Sequence, residues 1–239
     1  MTEALLSALI LSTAAGAAIP AGAALASVER FMPNWIEHEF RHSVIAFGGG
    51  ALFSAIALVL VPEGTERMPA APALTCFVAG GLAFLWADRT LARRGSRAAQ
   101  FMAMMLDFLP EAMALGALLS GNAETATLLA LLIALQNLPE GFNAYRELQE
   151  NGPSHRGRLA LIFLLVVPLG PLAAFLGLNV LNRHPAMLGG IMLFAAGGIV
   201  YLLFEDVAPQ VPLKRSWAPA FGGVAGFAFG LAGHLVLQG

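Results

Sequence analysis

The chain has 239 residues, of which 58% are hydrophobic and only 12% are charged, and its formal net charge is -2. Because a soluble domain carries about 25% charged residues, this composition and the mean hydropathy of +0.74 exclude an ordinary soluble domain and indicate a polytopic membrane protein. The single cysteine, Cys76, excludes an intramolecular disulfide and a cysteine-based zinc cluster. No basic tract for binding nucleic acid is present.

Eight apolar segments are each of roughly the length that crosses a bilayer, which is about 20 residues. The first carries Glu3 where a signal peptide would have a basic region, so we expect it to be retained as a span. We therefore predict an all-α polytopic membrane protein with a single transmembrane domain, 1–239. Its eight transmembrane helices are expected at about 4–27, 43–61, 71–88, 101–120, 124–143, 159–181, 187–204 and 218–237.

The basic residues are unevenly divided between the two sides of this predicted membrane domain. Of the 13 Lys and Arg residues, all except Arg67 and Arg183 fall in connections on one side. Basic connections remain in the cytoplasm, so we predict that both termini face away from it. The expected location is the bacterial cytoplasmic (inner) membrane.

A faint internal repeat relates the second and seventh segments. At an offset of 147 residues, Phe47 matches Phe194, Gly50 matches Gly197 and Pro62 matches Pro209. The two segments cross the membrane in opposite directions, as an inverted repeat of spans one to three and six to eight requires. Such matches also occur by chance in spans rich in glycine and alanine.

Two Pro-Glu motifs interrupt the fourth and fifth segments, which read Asp107-Phe108-Leu109-Pro110-Glu111 and Gln136-Asn137-Leu138-Pro139-Glu140. In each, a polar residue precedes the glutamate by four positions, so both polar side chains share a helix face. Carboxylates in apolar surroundings are costly unless they are paired or hold a cation. The predicted spans 101–120 and 124–143 contain no Lys or Arg to pair with them.

These observations predict a cation site within the bilayer core, between two antiparallel helices joined by a turn near 120–124. Pro110 and Pro139 each remove a backbone donor, and we expect them to break the helices and free carbonyl groups for the cation. The alternative is a polar seam that only joins two kinked helices. The predicted ligands are Asp107, Glu111, Gln136 and Glu140, with Asn137 and Asn143 nearby.

The motif QNLPEG (136–141) resembles the fifth-span signature of the ZIP (Zrt/Irt-like) metal transporters, particularly their bacterial GufA-like branch. The fourth-span segment DFLPEAMALG (107–116) is similar to the family motif HNxPEGxAxG in a degraded form. The second and seventh segments also resemble their family counterparts. The resemblance implies eight helices in a 3+2+3 inverted repeat and transport of a divalent metal cation, zinc, iron or manganese, as cargo. No resident cofactor is expected.

The chain departs from the family pattern at the positions that bind metal. Asp107 and Phe108 stand where the family has His and Asn, and Val167 stands where a glutamate would bridge a second metal. The resemblance therefore implies one metal site, and Asn137 is the residue left for a second position beside the shared Glu111 and Glu140. Three carboxylates and an amide favour hard cations such as Mn(II), Fe(II) or Mg(II), while zinc also accepts carboxylates.

Other polar residues have weaker patterns. The loop residues Glu37, His38, Glu39 and His42 form either a metal-collecting cluster or an ordinary solvated turn. Glu205 and Asp206 match an acidic pair of the family and either line an exit route or lie at the membrane interface. His234 is predicted to be a packed or interfacial histidine, and Met104 to be core filler.

Two other classes of function are alternatives to transport. An intramembrane enzyme is not expected, because no Gly-x-Gly-Asp motif occurs and no H-E-x-x-H motif lies within a predicted span. A diverged homologue that binds metal without transporting it, or that carries a different substrate, is the alternative to a transporter. The expected partners are divalent metal ions and the lipid bilayer, without nucleic acid, and a homodimer is one assembly that fits such a protein.

Overall fold

A computed structural model describes residues 2–29, 34–93, 99–149, 156–212 and 216–238 of the chain. Within these ranges the chain is built from helices, and two short segments have π-helical geometry. The α-helices are α1 (Thr2–Glu29), α2 (Asn34–Ala55), α3 (Val61–Glu66), α4 (Ala70–Arg93), α5 (Ala99–Leu118), α6 (Ala123–Gln149), α7 (Arg156–Val166), α8 (Leu169–Asn179), α9 (Pro185–Leu202), α10 (Ala208–Gln210) and α11 (Ala218–Gln238).

The predicted number of spans is confirmed for the described part of the chain, and the protein is an integral multi-pass membrane protein. Eight helical stretches are long and apolar enough to cross a membrane. We number them as spans one to eight: Glu3–Val28, Phe40–Glu66, Ala70–Leu91, Gln100–Leu118, Ala123–Gln149, Gly157–Arg183, Pro185–Gln210 and Ala218–Leu237.

Spans two, five and seven are longer than their hydropathy indicates, and span seven reaches Gln210 rather than position 204. Span two reaches Glu66 rather than position 61, because Pro62 occupies the first turn of α3, where proline is tolerated. Span five reaches Gln149 rather than position 143. Arg146 therefore lies in its last turn, and its guanidinium is 5.9 Å from the ring centre of Phe142.

The prediction that prolines break spans four and five is wrong. Both α5 and α6 continue through Pro110 and Pro139. The backbone instead departs from α-helical geometry in the π-helical segments Ile56–Leu60 of span two and Leu203–Val207 of span seven. Span six is interrupted between Val166 and Leu169, at Pro168. The two π-helical segments are separated by 147 residues, which is the offset of the sequence repeat.

The spans differ in how much of each is buried by the rest of the protein. Spans two, four, five and seven are 56–67% buried, whereas spans three and eight are only 17% and 11% buried. Span two packs against span eight, and span seven against span three. Glycines permit both contacts: a Cβ added to Gly50 would lie 2.0 Å from the Gly223 carbonyl oxygen, and one added to Gly197 would lie 1.9 Å from that of Phe77.

A tight hairpin joins spans four and five. The amide of Asn122 donates to the Leu118 carbonyl (2.7 Å), and the Asn122 side chain accepts a hydrogen bond from the Thr125 amide (3.0 Å). One asparagine thus closes the end of α5 and caps the start of α6. We call this end of the helices the hairpin end. The segments 63–67 and 182–185 lie at the same end, because they line one cavity together with the hairpin.

Candidate metal-cation site

The polar residues of the two Pro-Glu motifs lie inside the protein. Asp107 is 2% exposed, and Glu111, Gln136 and Asn137 are completely buried. Glu140 is partly buried, but its Oε2 atom is inaccessible to solvent. These side chains come from the two spans that the hairpin holds together, so the short turn positions the site.

The closest contact between the two motifs joins Gln136 and Glu111. The Gln136 amide donates from Nε2 to Glu111 Oε2 at 2.6 Å. Gln136 therefore lies level with Glu111 across the helix pair, and Glu140 lies one turn, about 6 Å, farther from the hairpin. Asp107 lies one turn from Glu111 in the same direction. The polar groups form two layers, Glu111 with Gln136 nearer the hairpin and Asp107 with Glu140 farther from it.

Several oxygen atoms at this site are buried without a hydrogen-bond partner. On spans four and five these atoms are Glu111 Oε1, Gln136 Oε1, Asn137 Oδ1, Glu140 Oε2 and Asn143 Oδ1. Buried polar atoms are nearly always satisfied, so each exception requires an explanation. All five atoms are oxygens, which are ligands that hard divalent cations prefer.

Asn137 is oriented differently from Gln136. Its Nδ2 donates to the Ala15 carbonyl of span one at 2.9 Å, and its Oδ1 is left without a partner. Asn137 therefore links span five to span one, whereas Gln136 links span five to span four. Asp107 is also partly satisfied, because its Oδ1 accepts a hydrogen bond from the Phe108 amide at 2.7 Å.

The three carboxyl groups are near enough to interact with one another. Asp107 interacts electrostatically with Glu111, and Glu140 interacts with both of them. Nevertheless, among the residues that the structure describes, no three His, Cys, Asp or Glu side chains lie close enough together to hold one metal ion. A cation coordinated here would require the amide oxygens, or a small movement of the carboxyl groups toward each other.

Phe108 and Val167 are the residues that the sequence resemblance aligns with metal-binding positions, and they lie on spans four and six. Phe108 is fully buried, and its ring edge lies 3.2 Å from a Cβ added to Gly16 and 2.9 Å from one added to Gly170. The Val167 carbonyl oxygen lies 3.3 Å from the same Gly16 position. An aromatic ring therefore fills the space between spans one, four and six.

The weaker sequence patterns have mixed outcomes. The predicted loop at Glu37, His38, Glu39 and His42 is part of helix α2 instead. The side chains of the first three lie outside the described residues, while His42 Nδ1 contacts the Gln210 carbonyl at the end of span seven. Met104 is 2% exposed and belongs to the hydrophobic core, as predicted. His234 is partly buried.

Two residues outside the predicted ligand set, Asn143 and Asp206, also belong to the surroundings of the site. Asn143 was noted only as a neighbour, although it follows Glu140 by three positions and therefore shares its helix face. Asp206, in the π-helical segment of span seven, interacts electrostatically with Glu140 and with Asp88 of span three. Asp88 also accepts a hydrogen bond from the Tyr201 hydroxyl at 2.9 Å. The i, i+3 spacing was a usable signal for Asn143, whereas the approach of span seven depends on tertiary packing.

Comparison with protein-family models finds no match to the chain, and comparison with curated proteins finds no match either.

Proposed function

We propose that this protein transports a divalent metal cation across the membrane through the site on spans four and five, as a diverged member of the ZIP family. The cation is cargo, with zinc, iron and manganese as the candidates. Asp107, Glu111, Gln136 and Glu140 are the proposed ligands, and Asn137 is available to a neighbouring position. The proposal includes no enzymatic activity.

The observation that carries this proposal is the set of buried oxygens without partners on the two Pro-Glu motifs. An unpaired buried carboxylate oxygen costs several kcal/mol in apolar surroundings. A structural seam would be expected to satisfy its own oxygens, as the Gln136 amide does for one oxygen of Glu111. A cation passing between the spans would satisfy the remaining oxygens together.

The proposed architecture is a 3+2+3 inverted repeat in the bacterial cytoplasmic membrane, with both termini outside. Its support is that the π-helical segments of spans two and seven are 147 residues apart, as are the sequence matches. The repeat would relate span two to span seven and span three to span eight. The packing of span two on span eight then corresponds to the packing of span seven on span three.

The donor set favours a hard cation. The candidate ligands present carboxylate and amide oxygens, without an imidazole or thiolate among them. Mn(II) and Fe(II) bind such sites relatively better than they bind sites that contain histidine. We therefore choose Mn(II) as the first cation to be assayed and Zn(II) as its competitor.

The proposal is tested with the full chain in proteoliposomes loaded with a metal-sensitive dye. Loss of even the partners of metal ligands lowers affinity about 10–100-fold, so Glu111→Gln and Glu140→Gln should reduce Mn(II) uptake at least that much. Glu124→Gln is the matched control, because Glu124 is an exposed glutamate in the first turn of the same helix as Glu140. Equal uptake by all four proteins would refute transport through this site.

A second candidate function has one specific observation in its favour. The three acids are not gathered closely enough to hold a metal by themselves, as in a homologue that binds a cation without moving it, or that carries a different substrate. Equilibrium binding separates the two functions. A protein that only binds would bind Mn(II) in detergent through Glu111 and Glu140 yet give no uptake above that of empty liposomes.

The orientation has its own test. Reporter fusions at Gly239 and within the loop 93–97 should report opposite sides of the membrane, with Gly239 outside. A cytoplasmic position for the fusion at Gly239 would contradict the orientation, and reports from the same side for both fusions would contradict the inverted repeat.

A further inference from the structure

A polar cavity opens at the hairpin end, away from the five unpartnered oxygens. Its volume is about 340 Å³. Its walls come from the ends of spans two, four, six and seven and from the hairpin, and its polar lining includes Glu63, Glu66, Arg67, Asn122 and Asn182. Ala117 and Leu118 also line it, and Glu111 lies six residues before Ala117 on the same helix, which is about 9 Å along the axis.

The cavity is lined by a positively charged side chain, that of Arg67. Arg67 Nη1 lies 2.5 Å from Glu63 Oε2, and the same group donates to the Glu63 backbone carbonyl. The other carboxylate oxygen, Glu63 Oε1, accepts a hydrogen bond from Asn122 Nδ2 at 3.4 Å. Glu63 is therefore held from one side by its own helix and from the other by the hairpin of spans four and five.

Packing limits where the Arg67 side chain can go. A Cβ added to Gly189 of span seven would lie 3.0 Å from Arg67 Cβ and 2.8 Å from the Gly64 carbonyl oxygen. The base of the Arg67 side chain is thus fixed against span seven. The side chains of Arg67 and Glu63 are only 23% and 14% exposed. The guanidinium consequently remains at the cavity instead of swinging freely into solvent.

From this arrangement we propose that Arg67 is an intramolecular competitor for the transported cation: its guanidinium occupies Glu63 at the mouth of the pathway, and a hydrated divalent cation must displace it. The inference rests on the proposed transport function. At the same distance the Glu63 carboxylate attracts a divalent cation about twice as strongly as a monovalent one, so a divalent ion displaces the guanidinium more readily. Arg67 thereby sets the apparent affinity and favours multivalent cargo.

If Arg67 competes with the cation, its removal should change the KM for Mn(II) without changing the maximal rate of uptake. Removing the positive charge in Arg67→Gln should lower the KM for Mn(II) about two- to fivefold at low ionic strength, the size expected of a partly exposed ion pair. The effect should shrink as the salt concentration rises, because salt screens exposed charges. The maximal rate should stay unchanged, since Arg67 does not contact Glu111, Gln136 or Glu140 among the interactions described.

The chain supplies a matched control. Arg183 is the other arginine assigned to this side of the membrane, and it is exposed and does not line the cavity. Arg183→Gln makes the same change of charge, so it should leave the KM near the wild-type value. Arg67→Lys keeps the charge and should also resemble wild type. In the double variant Glu63→Gln/Arg67→Gln the gain in affinity should be lost, because the carboxylate that attracts the cation is absent.

Two measurements on the full chain decide the inference. Mn(II) uptake into proteoliposomes gives the KM and the maximal rate. Electron paramagnetic resonance of free Mn(II), with the purified proteins in detergent, counts bound ions independently of transport. Arg67→Gln should bind an additional weak equivalent of Mn(II) that wild type, Arg183→Gln and the double variant lack.

The outcomes separate this inference from the proposed function. If Arg67→Gln matches Arg183→Gln in KM and in bound Mn(II), Arg67 is not a competitor, even if Glu111→Gln abolishes uptake. If no protein gives uptake but Arg67→Gln still gains a weak Mn(II) site that depends on Glu63, transport fails while the competition at the cavity stands.

Discussion

The glutamates at the hairpin end and those in the middle of spans four and five differ in whether their carboxylate oxygens have partners. At the hairpin end, Glu63 is partly exposed and has a guanidinium and an amide on its two oxygens. In the middle of spans four and five, Glu111 and Glu140 each keep a buried oxygen without a partner. The carboxylate that water could solvate has partners on both oxygens, whereas the carboxylate oxygens that water cannot reach, Glu111 Oε1 and Glu140 Oε2, have none. Stability alone would favour the reverse, because an unpaired polar atom costs most where it is buried.

This difference supports the proposal that the buried oxygens take a partner that comes from outside the chain. A protein can retain a costly polar cluster when the cluster binds a ligand, since binding restores the missing interactions. The hairpin end needs no such partner, because Arg67 already supplies the positive charge. Giving the buried site its own positive charge should therefore make the two regions alike.

The largest effect is expected from Gln136→Lys. An ammonium group beside Glu111 would occupy the place of the cation, so Mn(II) binding should fall about 100-fold or more. Gln136→Glu is the control. Glutamate has nearly the same shape as glutamine and adds a negative charge where Gln136→Lys adds a positive one, so this variant should retain binding. Titration calorimetry on proteins that elute as single peaks measures both. Binding of Mn(II) to Gln136→Lys with wild-type affinity would show that Gln136 does not face the cation.

A smaller effect is expected in the layer of Asp107 and Glu140, where a substitution should alter which cation is preferred. In Asp107→His an imidazole replaces a hard anionic oxygen next to Glu140, so the preference for Zn(II) over Mn(II) should rise about tenfold. Asp107→Asn keeps an oxygen donor and serves as the control. Competition uptake across divalent cations measures the order of preference. An unchanged order in both variants would mean that Asp107 does not touch the ion.

The sequence was sufficient for the spans because hydropathy depends on composition rather than on contacts. The predicted segments lie within a few residues of most observed spans, and the errors are at ends where polar residues continue a helix, as at Glu66 and Gln149. The shared helix face of Asp107 with Glu111, and of Gln136 with Glu140, also followed from the sequence, because residues at i and i+4 lie on one face of a helix.

Backbone irregularities could not be predicted in the same way. The prolines of spans four and five suggested breaks, but both helices continue, since a helix in a membrane protein tolerates proline when neighbouring groups satisfy the freed carbonyl. The π-helical segments in spans two and seven precede Pro62 and Pro209 and have no local signature of their own. The 147-residue separation of the two segments has a meaning only once it is compared with the offset of the sequence repeat, which is the same.

The next prediction concerns the number of ions rather than their affinity. Val167 lies at the interruption of span six, beside Gly16 and close to the ring of Phe108. In Val167→Glu a carboxylate would be added there, and calorimetry should give a second Mn(II) ion per chain, shared with Glu111 and Glu140. Val180→Glu places the same acid at an exposed position near the end of span six and should leave one ion. One ion in both variants would show that Phe108 or the orientation of Val167 separates this position from the site.

The smallest effect is expected where the charges already have partners. The ion pair of Glu63 and Arg67 is reached by solvent, so its two members should stabilise each other by only about 0.2–1 kcal/mol. A double-mutant cycle of Glu63→Gln and Arg67→Gln, followed by reversible unfolding in mixed detergent, measures this coupling free energy. High salt should reduce it further. A coupling above about 2 kcal/mol would mean that the pair is effectively desolvated. The ion pair would then hold the hairpin end together structurally. The two groups of acids would differ only in whether they have partners, and not in whether water reaches them.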